Sequence, residues 1–146
     1  MTPTSSGHET SRFQDLPRSR CEELLASHTT GRVAWNAYDG PEVLPVTYAV
    51  YNGDVVFRTS PYGVLAQLAQ ERCNVAFEID EIDHENGTAW SVLVRGSSRG
   101  VVESFDLVTL WSMEGIVPWA TGTRNVFIGI TPRTISGRML KAPFAE

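Results

Sequence analysis

The chain has 146 residues, enough for one domain that buries about two-thirds of its unfolded surface around a single core. Its 42% apolar and 20% charged residues exclude a disordered protein, and a net charge of -5 excludes a bulk electrostatic grip on nucleic acid or an anionic membrane. No apolar run approaches the ~18 residues of a membrane span. The N-terminal MTPTSSGHETSR lacks the apolar region of a secretory signal. Cys21 and Cys73, with no CxxC spacing, read as free thiols in a reducing compartment, the cytoplasm by default.

Residues 1–15 are polar and read as a disordered tail, leaving 16–146 as a single domain. Ser19-Arg20-Cys21-Glu22 matches a capping box, and the spacing predicts a helix over 19–27 with Cys21, Leu24 and Leu25 on one face. RVAWNA, from Arg32, reads as a strand reversed at Tyr38-Asp39-Gly40-Pro41. The central stretch, residues 42–60, is EVLPVTYAVYNGDVVFRTS. Two β-type runs flank Asn52-Gly53, the strongest short hairpin signal because both residues tolerate positive φ. Its second run ends in Arg58, Thr59 and Ser60, a guanidinium and two hydroxyls at a strand end, which suits an anion and equally suits a solvated cap on the strand.

Residues 64–70 read as a short helix with Leu65, Leu68 and Ala69 inward. NVAFEID alternates with Val75, Phe77 and Ile79 on one face. An acidic loop leads to a long strand from Thr88 to about Val102, in which Gly96 and Gly100 signal a bulge or bend. Residues 105–113 read as a helix capped by Ser104 or Asp106, and NVFIGIT, from Asn125, as a last strand before a ragged tail. About six antiparallel strands with short connections and short helices point to a mainly β (α+β) fold, a small six-stranded antiparallel split barrel with its ends plugged by helices.

Other chemistry is sparse. The acidic residues Glu78, Asp80, Glu81, Asp83, His84 and Glu85 lack metal-loop spacing and read as a solvated strand end, so no metal site is assigned. His28 reads as a cap on helix carbonyls, with a heme ligand or proton donor as the other role for its imidazole. Cys73 has no neighbouring base, and no GxGxxG, Walker A, HExxH or GxSxG is present. No catalytic residue is assigned.

Taken in series, GRVAW at 31–35, VLPVTYAV, DVVFRTS, CNVAFEID and AWSVLVRG at 89–96 resemble the pyridoxamine 5'-phosphate oxidase-like, FMN-binding split-barrel family, in its small nitroimidazole-reductase-like branch. The resemblance covers residues 17–140. It implies a homodimer with flavin at the subunit interface and a small-molecule substrate or electron donor. Val46, Thr47 and Tyr48 would lie along the flavin, Arg58, Thr59 and Ser60 would hold its phosphate, and Trp90, Ser91 and Trp119 would complete the pocket. FMN is the implied cofactor, with deazaflavin F420 or heme as alternatives and a barrel without catalysis as the other reading. Relatives carry a cation in the turn after the Arg-Thr strand. Here Pro61-Tyr62-Gly63-Val64-Leu65 has none, leaving Arg124 or Arg138 of a second copy to replace it.

Overall fold

The computed structural model describes residues 12–112 and 126–142. Among them are eight strands and three short α-helices. In chain order these are β1 Arg12–Leu16, α1 Arg18–Ser27, β2 Thr30–Ala37, β3 Gly40–Thr47, β4 Ala49–Tyr51 and β5 Asp54–Thr59. A 3-10 turn at Val64–Ala66 then leads into α2 Gln67–Gln70, followed by β6 Asn74–Asp83, β7 Thr88–Gly100, α3 Ser104–Trp111 and β8 Val126–Lys141. All strand pairings are antiparallel. The sheet order is β3-β2-β6-β7-β8-β5-β4, with β1 added on the far half of β8.

β3 and β4 end that order on opposite edges, yet a single residue, Tyr48, separates them in the chain. One residue reaches across about 7 Å at most, so the sheet must curl until its edges meet. The result is the split barrel. Tyr48 is locked in place: its N–H donates to the Thr29 carbonyl at 2.9 Å and its hydroxyl to the Leu25 carbonyl at 2.6 Å. Its ring meets Phe77 edge-on, 4.8 Å between centroids. Burial pushes the phenol far above its ordinary pKa, so the hydroxyl remains a donor.

Strand alternation fills the barrel with Val33, Trp35, Phe57, Phe77, Val92, Val94, Ile128 and Ile130. α1 plugs one end through Cys21, Leu24 and Leu25. Trp35 Nε1 donates to Gln67 Oε1 at 3.4 Å, tying α2 to β2, and Leu68 is buried in the same core. α3 lies on the outside of the sheet, where Leu110 packs with Val56, Val101 and Phe127 in a second cluster. Asp54 Oδ2 accepts from Arg99 Nη2 at 3.0 Å and from Thr131 Oγ1 at 3.4 Å, joining β5, β7 and β8.

Several expectations need correction. Eight strands replace six. The run before Asn52-Gly53 is shared between two sheet edges, so β3 pairs with β2 and only β4 forms the hairpin with β5. Asn52 and Gly53 do take positive φ, 51° and 82°. β1 starts at Arg12, inside the stretch read as a tail, and pairs with β8 around Arg138. Residues 135–141 of the stretch read as a ragged tail are the second half of β8, held between β1 and β7; Gly137 and Arg138 carry no strand signal of their own. α1 starts one residue before Ser19 behind Pro17, and α3 starts behind Glu103; neither has a side-chain cap. The bulge is real: β8 slips by one residue opposite Arg95 and Gly96, where a Cβ on Gly96 would strike the Thr131 carbonyl.

Tyr48→Phe keeps the ring and strands the buried Leu25 carbonyl, so it should cost about 1–2 kcal/mol. Urea unfolding measures it; an unchanged midpoint would show that the hydroxyl does not secure the junction.

Candidate functional site

Period-two alternation sorts the predicted cofactor residues onto the two faces of the sheet. Val46 and Tyr48 point into the barrel core, and Thr59, 4% exposed, shares the inward face of β5 with Val55 and Phe57. Thr47, Arg58 and Ser91 lie at the alternate positions, each half-buried. Ser60 follows, its Oγ accepting from the Tyr62 N–H at 3.1 Å. Ala49 pairs with Val56, and continuing that register by two residues sets Thr47 level with Arg58. The structure therefore brings Thr47, Arg58 and Ser60 to one corner of the outer face, and turns Val46, Tyr48 and Thr59 inward behind them.

Arg58 is held by aromatic rings. Its Cζ lies 4.0 Å from the centroid of the Trp111 ring and 5.5 Å from that of Phe127, its cross-strand neighbour. The two rings meet edge-on at 5.4 Å. Partial burial pulls the guanidinium below its ordinary pKa without approaching neutrality. Trp111 escaped the sequence reading, because a tryptophan at the end of an apolar helix carries the same signal as a core residue.

Trp90 and Ser91 lie elsewhere. Arg58 pairs with Phe127 of β8 and Ser91 with Arg138, eleven residues apart, about 35 Å of extended strand. Trp90 packs edge-on against His28, 5.0 Å between centroids, and its Nε1 donates to Glu81 Oε1 at 3.3 Å. His28 Nδ1 donates to the Leu24 carbonyl at 2.8 Å, which is the helix-capping role. Ser91 lines a groove of about 430 Å³ with Asp15, Glu78, Arg95, Ser136 and Arg138. Asp83 organises the acidic turn by accepting from the Asn86 N–H at 3.1 Å and its Nδ2 at 2.7 Å. Trp119 and Arg124 fall outside the described residues.

The groove carries one titrating group of note. Arg32 Nη1 donates to Glu78 Oε1 at 3.1 Å and to Asp80 Oδ2 at 3.3 Å. Burial and the neighbouring Asp80 push the Glu78 carboxyl up to about 7, against the pull of Arg32.

A curled antiparallel barrel with an arginine set against aromatic rings on its outer face defines a small split-barrel protein. A family model described as pyridoxamine 5'-phosphate oxidase matches residues 17–139, and the chain belongs to that family. An uncharacterised protein of Mycobacterium tuberculosis is 27% identical over 127 residues, 84% of this chain and 82% of the relative. The solved FAD-binding protein of Mycobacterium smegmatis is 29% identical, with a TM-score of 0.70 over 87% of this chain and 97% of that one. An FAD- and heme-binding protein of the same organism, 15% identical, shares the fold, with a TM-score of 0.66 over 88% of this chain and 72% of that one. No helix among the described residues is long and apolar enough to cross a membrane.

Because the folded Glu78 carboxyl titrates near 7 and an unfolded one near 4.5, folding takes up a proton between those values. Stability is fullest below the lower value and is lost as pH rises through the upper one. Melting temperature should fall from about pH 5 to about pH 8, and Glu78→Gln should flatten that fall. Parallel profiles for the two proteins would remove Glu78 from the titration.

Proposed function

We propose that this chain binds a flavin nucleotide, FMN, on the outer face of its barrel, in an oxidoreductase built as a homodimer. The observation that carries the reading is Arg58: a half-buried guanidinium stacked on rings beside Thr47 and Ser60. A guanidinium oriented by an aromatic ring is a directional, charged donor, which suits a phosphate. The flavin binding of the Mycobacterium smegmatis relative supports the same class of cofactor.

Two copies are part of the proposal because the predicted pocket is divided between the ends of β8. In one chain, Arg58 and Ser91 are too far apart along that strand to hold a single flavin mononucleotide. Outer faces meeting about a two-fold axis would bring the groove with Ser91 and Arg138 of one copy toward Arg58 of the other. Arg138 would then supply the cation that the turn at Pro61–Leu65 lacks. Around the groove, Arg32, Arg95 and Arg138 stand against Asp15, Glu78 and Asp80, so two copies can meet there without net repulsion despite a chain charge of -5.

Bound flavin supplies hydride or electron transfer, and the chain binds and orients it. Free Cys21 and Cys73 suit a cytoplasmic setting. FAD is the second reading, favoured by the relative that binds it; both flavins present a phosphate to Arg58.

FMN added to the purified protein should bind with its fluorescence quenched. Arg58→Ala should weaken FMN about tenfold to a hundredfold while leaving riboflavin, which has no phosphate, unchanged. Equal FMN affinity in wild type and variant would sink the reading.

A further inference from the structure

We infer that Trp111 is a positioning residue for Arg58, and that α3 exists in its observed place to present that indole to the guanidinium. The inference rests on the reading of Arg58 as the group that holds an organic phosphate.

The route from chain to contact can be followed residue by residue. Asn52-Gly53 turns β4 into β5 and so fixes Tyr51, whose hydroxyl donates to Asp106 Oδ1 at 2.8 Å. That bond pins the first turn of α3. Leu110, fully buried beside Val56, Val101 and Phe127, pins its last turn. With both ends held, the next residue is carried onto Arg58. Trp111 keeps 51% of its surface exposed, more than a side chain serving only as core filler would. Its ring is the nearer of the two on the guanidinium, at 4.0 Å against 5.5 Å for Phe127.

An arginine side chain carries substantial rotamer freedom, lost when it grips a ligand. Contact with the indole removes part of that freedom before any ligand arrives. With Cζ 4.0 Å from the Trp111 centroid, the indole also limits the orientations from which the guanidinium can meet a phosphate. Trp111 touches the arginine rather than the phosphate. Its effect should therefore be specific to ligands that carry one.

The test is an affinity comparison of FMN and riboflavin across variants of the full chain. Trp111→Leu should weaken FMN about fivefold to tenfold, Trp111→Phe about twofold or less, and neither should change riboflavin. In an Arg58→Ala background, Trp111→Leu should add no further loss. Melting temperatures of the variants separate binding from folding. Protein labelled with 5-fluorotryptophan gives a second readout without a substitution: the fluorine resonance absent from Trp111→Phe should move with FMN and stay still with riboflavin. If Arg58→Ala weakens FMN while Trp111→Leu does not, or if the two losses simply add, the positioning role is overturned and the phosphate reading survives. An Arg58→Ala variant with unaltered FMN affinity overturns both.

Discussion

One residue governs the shape of this molecule. Tyr48 joins a strand on one edge of the sheet to a strand on the other, and no flat or open sheet can satisfy a link that short. Closure brings the end of β3 beside the end of β5, which is why Thr47 and Arg58 share a corner although their strands stand far apart in the sheet order. The junction is also the best-secured point of the barrel: backbone and hydroxyl of Tyr48 are both bonded, and its ring sits in the core. A buried carbonyl at the end of α1 is satisfied by the same hydroxyl, so the helix that plugs the barrel and the link that closes it depend on each other.

The period of a strand then decides what each side of the barrel does. Inward positions are apolar almost without exception and make one continuous core. Outward positions hold the chemistry: Arg58 under α3 at one end of β8, and the mixed charges of Arg32, Glu78, Asp80, Arg95 and Arg138 toward the other. Paired residues such as Arg58-Thr59 or Trp90-Ser91, adjacent in sequence, therefore serve opposite faces. A motif read as a cluster in one dimension is split by the pleat. β8 spans both regions, and its bulge at Gly96 lets it follow the curl without losing its pairing to β7.

Much of this is legible in the sequence. The Asn52-Gly53 turn, the inward faces of β6 and α1, the bulge near Gly96 and the mainly β architecture follow from local rules of alternation, spacing and backbone freedom. The family also followed, because its strand motifs recur in order. Other features were hidden for a physical reason. β1 and the far half of β8 have weak strand preferences of their own: β8 supplies the hydrogen-bond partners of β1, and β1 and β7 supply those of β8. Caps at Ser19, Ser104 or Asp106 were plausible locally, but the helices begin behind Pro17 and Glu103 instead.

What the sequence determined by itself was the class of fold, the core residues and the presence of an arginine at a strand end, since each depends on neighbours a few positions along the chain. Only tertiary structure decided that one run of residues serves both edges of the sheet, that Trp111 lies on Arg58, and that Ser91 lies far from both. Those relations are set by closure of the barrel, and closure is a property of the whole chain.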